Sequence, residues 1–339
     1  MRYPDLTPLV PNTTKSGFLL FEKNVLYRSE DGGTTWHINT QGTGSSSSLV
    51  RINSNGDLLA ESFHQYFLRK HGSSKWVLLN VPVGFSALDY EFHLADPSFI
   101  VAGGRFGTSA KSIMKSADGG KSWQIQKGPF VIVDRILTDP RNPKTIYSLG
   151  CLYSSRKSAV ATSHDAGSTW VITRTGLSCL GLNFAADFQH SPDLYVTALE
   201  GIAKSGDQGK TWQRLSTIRA DAAIKSLDIT PTRLYALILD NQGIYSVYFS
   251  TDAGKNWQKG NNLPTTDTVF FIKADHTREG TVFIGGPGLF VSKDGGQNWS
   301  TFDTNGLPSD QSVSDFYVDP SNPADYWISA ANGIYNYTN

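Results

Sequence analysis

Six segments of this 339-residue chain repeat one pattern, Ser-x-Asp-x-Gly-x-(Thr/Ser/Asn)-Trp: SEDGGTTW, SADGGKSW, SHDAGSTW, SGDQGKTW, STDAGKNW and SKDGGQNW, ending at Trp36, Trp123, Trp170, Trp212, Trp257 and Trp299. A seventh segment, RKHGSSKW, keeps the spacing and ends at Trp76, but His71 stands where the Asp belongs. Successive tryptophans are 40, 47, 47, 42, 45 and 42 residues apart. Such a period marks an array of one supersecondary unit, each copy unable to bury its apolar face without its neighbours.

Each position of the pattern has a physical reason. The carboxylates of Asp31, Asp118, Asp165, Asp207, Asp252 and Asp294 are placed to accept backbone N–H bonds within their own turn. The Ser hydroxyl adds a second local bond, and the Gly supplies backbone angles that other residues resist. The Trp carries the largest apolar surface available to wedge against a neighbouring sheet. A calcium role is not supported, since no copy carries a D-x-D-x-D-G ligand ladder. Repeated identical turns also cannot all be one active site. The aspartates therefore read as structural.

Upstream of each motif lie short runs rich in β-formers, such as Leu194–Leu199, Leu234–Leu239 and Thr281–Ile284. Before these comes another strand ending in a Pro/Asp turn, as in Asp139-Pro140 and Asp319-Pro320. The unit is strand A, turn, strand B, loop, strand C, motif, strand D, which is a four-stranded propeller blade. No stretch shows a helix-length amphipathic period. The motif is the Asp-box, or BNR, repeat, and nearly the whole chain resembles the sialidases, xyloglucan-active hydrolases, sortilin-type receptors and photosystem assembly factors that share it. The expectation is an all-β chain, residues 1–339 forming a single β-propeller domain. Eight four-stranded antiparallel blades are favoured over seven, with the ring closed by N- and C-terminal strands near Arg2–Leu9 and Gly333–Tyr337.

In such a blade the A–B and C–D turns share one end. The Asp boxes therefore occupy the face opposite the B–C loops and D–A connections, where propellers usually bind. The longer, more basic and aromatic B–C loops belong to the units ending at Trp76, Trp123 and Trp170. They offer Glu61, His64, Tyr66, Arg105, Tyr153 and Arg156 as binding candidates. Asp89, beside Tyr90 and Glu91, is assigned to a D–A connection, with Arg135 next to it on a strand. Cys151 and Cys179 also fall at the loop end, close enough in topology for a disulfide, which would imply an oxidising compartment.

Lys+Arg and Asp+Glu are both 30, so the chain lacks the basic excess of a nucleic-acid binder. No apolar run approaches a membrane span, and the N-terminal residues show no signal peptide. The seven histidines are dispersed, and neither a metal nor another cofactor is expected. The sialidase resemblance would bring an Arg-Ile-Pro motif, but Arg51-Ile52 is followed by Asn53 and Arg135-Ile136 by Leu137. Glycoside hydrolysis needs two facing carboxylates, for which Glu61, Asp89, Glu200, Asp240, Asp267 and Asp315 are candidates by position. His64 and Tyr66 would serve a polysaccharide lyase as base and acid. With no legible catalytic motif, the leading expectation is a non-catalytic, monomeric binder of a glycan or protein, in a secreted, periplasmic or cell-surface setting. The alternative is a glycoside hydrolase or polysaccharide lyase.

Overall fold

The computed structural model describes residues 18–338 apart from 23–24, 30–36, 42–46, 54, 63–64, 72, 74–75, 94–95, 108–110, 153, 189, 216, 262, 265–267, 303–311, 319–324 and 331–332, with most side chains between residues 51 and 316. The first strands, β1 (Phe18–Glu22), β2 (Val25–Ser29) and β3 (His37–Gln41), form a three-stranded sheet. Six four-stranded antiparallel blades follow. Blade 1 is β4 (Ser47–Ile52), β5 (Leu58–Ser62), β6 (Gln65–Arg69) and β7 (Trp76–Leu78). Blade 2 is β8 (Phe85–His93), β9 (Asp96–Phe106), β10 (Lys111–Ser116) and β11 (Gln124–Lys127). Blade 3 is β12 (Val133–Thr138), β13 (Ile146–Leu152), β14 (Lys157–Ser163) and β15 (Val171–Ser178). Blade 4 is β16 (Asn183–Ala186), β17 (Leu194–Ala198), β18 (Gly201–Ser205) and β19 (Gln213–Arg214). Blade 5 is β20 (Ala222–Ile229), β21 (Leu234–Asp240), β22 (Tyr245–Ser250) and β23 (Gln258–Lys259). Blade 6 is β24 (Phe271–Ala274), β25 (Val282–Gly285), β26 (Leu289–Ser292) and β27 (Ser300–Thr301). The chain ends in a second three-stranded sheet, β28 (Val313–Val318), β29 (Asp325–Ala330) and β30 (Gly333–Thr338).

This corrects the expected count of eight, or seven, four-stranded blades: six complete blades form among the described residues. The reason lies in the terminal units. The first has no inner strand ahead of β1 among the described residues, and the last shows three strands, β28 to β30, among them. Their pieces meet, with β1 lying beside β30 and β28 packing against β4 on one side and β24 on the other. The closing strand expected near Arg2–Leu9 lies outside the described residues, as do Asp31 and Trp36. No helix among the described residues is long and apolar enough to cross a membrane.

Both faces of each inner strand are covered, so the B strands read as nearly continuous apolar runs rather than alternating ones. In β17, Leu194, Val196 and Ala198 pack towards blade 3 while Tyr195 packs towards blade 5. Five cores lie between successive blades, and each receives one Trp from the box of the later blade: Trp123, Trp170, Trp212, Trp257 and Trp299.

The boxes joining the third and fourth strands of blades 2 to 6 share one hydrogen-bond pattern. In blade 4 the Ser205 hydroxyl donates to Asp207 Oδ1 at 2.8 Å and accepts from the Gly209 N–H at 2.8 Å. The Thr211 N–H and hydroxyl donate to the two oxygens of Asp207 at 2.8 and 2.6 Å. The hydroxyl or amide at the seventh position is thus a ligand of the Asp carboxylate. These bonds hold the Asp207 carboxyl at about 2, well below its ordinary value, with the Thr211 side chain the largest cause. Blade 1, which has His71 in place of the box Asp, takes its acceptor from the A–B turn. There Asp57 receives the His71 N–H at 2.9 Å, Lys70 Nζ at 2.8 Å and Asn53 Nδ2 at 3.0 Å.

The box contains two consecutive left-handed residues, one more than the sequence pattern announces. Its fourth position is Gly119 (φ 72°) or Gly295 (φ 78°) in two blades, but Ala166 (57°), Gln208 (61°) and Ala253 (58°) in the other three. A left-handed non-glycine residue costs roughly 1 kcal/mol. The two neighbouring positions in one box should therefore answer oppositely. Ala253→Gly relieves strain and raises the unfolding free energy in urea by up to about 1 kcal/mol. Gly254→Ala, whose Cβ would meet Leu215 Cδ1 at 2.5 Å, lowers it by about 2 kcal/mol. Equal effects at the two positions would contradict this account of the box.

Candidate functional site

The inner strands β4, β8, β12, β16, β20, β24 and β28 pack each against the next in a ring around the propeller axis, running from the loop end to the Asp-box end. Polar side chains on these strands fasten each blade to the next. Asp89 Oδ2 accepts from Ile136 N at 3.1 Å, Ser226 Oγ from Ile272 N at 3.3 Å, and Asp228 Oδ2 from Ala274 N at 2.8 Å. Several inner strands carry a bulge near the loop end, at Ser47/Leu49, Ala87/Asp89, Val133/Arg135, Ile224/Ser226 and Val313/Asp315. Each bulge shifts the side-chain alternation by one residue and decides which groups point to the channel.

Arg51, on β4, gathers carboxylates from both neighbouring inner strands. Its Nη2 lies 2.9 Å from Asp89 Oδ1, its Nε 3.6 Å from Glu91 Oε1, and its Nη1 3.5 Å from Asp315 Oδ2. The guanidinium also sits 5.8 Å from the centroid of the Tyr90 ring. Asp89 and Asp315 are nearly covered, whereas the Glu91 side chain keeps 23% of its surface exposed. Burial pushes the Glu91 carboxyl up to about 7; Arg51 opposes this, Asp89 adds to it, and Lys273 on β24 opposes it more weakly. Asp134, at the bulge of β12, is also raised by burial, with Arg135 pulling the other way.

The structure separates the sequence-derived candidates. Tyr66 is not a loop residue: it belongs to β6, is 2% exposed, and packs edge-on against Tyr90 with centroids 5.7 Å apart. Asp89 lies within inner strand β8 rather than in the connection before it, because that strand begins at Phe85. Arg135 is half-buried and donates to the Asp134 carbonyl at 2.9 Å. Arg105 and Arg156 are exposed at the loop end, Arg156 with a left-handed φ of 52°. Glu61 lies on β5 with its side chain outside the described set, and His64, Tyr153 and Asp267 are outside the described residues. Glu200 is occupied by the Ser178 N–H and hydroxyl, both at 2.6 Å. Asp240 lies 3.5 Å from Arg219 Nη1 and accepts the Gln242 and Ile244 N–H groups. Cys151 and Cys179 are joined in a disulfide with Cα atoms 5.5 Å apart, tying the end of β13 to the connection between blades 3 and 4.

Sequence reasoning did not bring Arg51, Glu91 and Asp315 together, since they come from three different repeats. At the opposite face a cleft of 580 Å³ opens between blades 4 and 5, lined among others by Asp193, Arg233 and Asp252. Its charges are engaged: Asp193 with Lys204 at 2.6 Å, Arg233 with the Gly295 carbonyl at 2.9 Å, and Asp252 inside its own box.

The BNR/Asp-box repeat model matches residues 248–259 and 290–301. Over 145 residues the chain is 31% identical to a probable oligoxyloglucan-reducing end-specific xyloglucanase of Neosartorya fischeri, covering 37% of this chain and 17% of that protein. Over 147 residues it is 31% identical to a xyloglucanase of Hypocrea jecorina, covering 43% and 17%. The matched part is thus about one sixth of the length of these curated relatives. Among solved structures, an ancestral GH74 enzyme superposes with a TM-score of 0.71 at 16% identity, over 90% of this chain and 46% of that one. The GH74 xyloglucanase from Xanthomonas campestris gives 0.67 at 14% identity, over 89% and 53%. YCF48 bound to D1 peptide gives 0.61 at 15% identity, over 97% and 99%. Repeat and architecture together make the chain an Asp-box β-propeller. Its fold is of the type found in glycoside hydrolases of the GH74 group.

The Arg51 cluster sets a stability test. Arg51→Met leaves Asp89, Glu91 and Asp315 without their shared cation, which costs about 3 kcal/mol in urea unfolding at neutral pH. Loss of the cation removes the pull that lowers the Glu91 pKa, and a carboxyl with a raised pKa contributes stability at low pH that is lost as pH rises. The deficit should therefore grow between about pH 5 and about pH 8. A deficit below about 1 kcal/mol, flat with pH, would show that the cluster is not an energetic unit.

Proposed function

We propose that this propeller is a glycoside hydrolase-type protein acting on a β-glucan of the xyloglucan class, with the channel carboxylates as its acid and base. The observation that carries the reading is Glu91, a carboxyl raised to about 7 on the same guanidinium as Asp89 and Asp315. Glycosidic cleavage needs one carboxyl protonated near the working pH and a second that stays ionised. Glu91 would deliver its proton to the leaving-group oxygen as the glycosidic C–O bond breaks. Asp89 or Asp315 would take the proton of the water whose hydroxyl adds to the sugar carbon. The 31% identity to two xyloglucanases supports the substrate class. Together these favour the alternative weighed from the sequence over a purely non-catalytic binder.

In this reading residues 1–339 act as one propeller domain. The Cys151–Cys179 bond suits an oxidising compartment outside the cytoplasm, where structural disulfides persist.

The test is reducing-end release from xyloglucan, mixed-linkage glucan and cello-oligosaccharides. Turnover that falls roughly 10²–10⁴-fold in kcat on Glu91→Gln, with KM little changed, is expected. An intact, folded chain that neither binds nor cleaves any of these polymers would overturn the proposal.

A further inference from the structure

The two ends of the propeller differ in their apolar exposure. Val83, Leu88, Val131, Leu180, Ile244 and Phe270 are large apolar residues exposed at the loop end, and Val83 is 96% and Leu180 64% accessible. Val77, Leu78, Val171 and Ile172 are exposed on the outer strands β7 and β15. None of the exposed large apolar residues among the described ones lies in the A–B turns or the Asp boxes. Scattered exposed apolar side chains are ordinary, but six of these ten lie at the loop end, which makes that end the more apolar of the two.

Four of them occupy one continuous sector. Val83 stands in the connection entering blade 2, Leu88 at the bulge of its inner strand, Val131 in the connection entering blade 3, and Leu180 in the connection entering blade 4. The disulfide anchors the last of these connections beside the turn that carries Arg156.

The charge in the same sector is unbalanced. Arg105, Arg156 and Lys157 are exposed and form no ion pair among the described residues. The described carboxylates in this sector are fewer: Glu200 accepts from Ser178, and Asp134 is half-buried with its carboxyl raised by burial.

We propose that this sector, independently of the channel chemistry, is a docking surface for a polypeptide segment that alternates acidic and aliphatic residues. Arginine is enriched at protein interfaces, and the exposed aliphatic side chains offer apolar surface for a partner to cover. A glycan is a poorer fit, because sugars stack on flat aromatic rings and the four exposed anchors are aliphatic. Complementary charge would bring the segment to Arg105, Arg156 and Lys157, and Val83, Val131 and Leu180 would then lose their exposed surface to its apolar side chains.

The test uses the full chain and a short fluorescein-labelled peptide alternating glutamate and leucine, followed by fluorescence anisotropy. Controls are a lysine–leucine peptide, a glutamate–serine peptide and phosphatidylserine vesicles. Saturable binding of the glutamate–leucine peptide is expected, weakened about tenfold or more by the double substitution Arg105→Glu, Arg156→Glu and separately by Val83→Ser, Leu180→Ser. These variants change exposed side chains, so their thermal unfolding should match the parent chain. Glu91→Gln should bind the peptide normally, which separates this surface from the channel reading. Four results would overturn the proposal: no saturable binding, equal binding of the lysine–leucine peptide, binding unaffected by either pair of substitutions, or capture by vesicles in place of the peptide.

Discussion

The fold depends on one repeated contact: the Asp-box tryptophan lodged against the core shared with the preceding blade. A four-stranded sheet buries neither face alone, so each blade is stable only when its neighbours cover it. Trp123, Trp170, Trp212, Trp257 and Trp299 each lie at one of these shared cores, positioned by a turn that begins at the last residue of the third strand. The turn holds its shape because one carboxylate takes two donors from the seventh position and one from the Ser hydroxyl. In blade 1, where His71 replaces the box Asp, Asp57 of the adjacent turn accepts the His71 N–H and the Lys70 ammonium instead.

The regular part of this design was legible from the sequence because it is local. The pattern lies within eight consecutive residues, and its period sets strand number and turn position for the interior blades. The ends were not legible, because their strands find partners only across the closure of the ring, where β30 meets β1 and β28 meets β4. Tyr66 was misread for a related reason. The β5–β6 connection is so short that β6 begins at Gln65, which turns Tyr66 into the core instead of leaving it in a loop.

The channel site illustrates a different obstacle. Arg51, Asp89, Glu91 and Asp315 come from three repeats, and nothing in their local sequence links them. Bulges at Ser47/Leu49, Ala87/Asp89 and Val313/Asp315 reset the two-residue alternation in all three strands, so a simple reading of the pattern misassigns the channel-facing groups. Asp89 was picked out from its position, but its partner cation became apparent only in three dimensions. The result is a division of labour across the molecule. One end is closed by polar, internally satisfied turns. The axis carries a charged cluster with one carboxyl held near neutrality. The other end presents aliphatic and basic groups to solvent.

The central claim is that burial, reinforced by Asp89 and against the pull of Arg51, keeps the Glu91 carboxyl protonated up to near-neutral pH. The most direct measurement is an NMR titration of the chain carrying ¹³C-labelled glutamate carboxyls. The account predicts one carboxyl titrating at about 7, and its signal missing from Glu91→Gln. If every glutamate instead titrates near the ordinary value of 4.5, the channel holds no poised acid and the account fails.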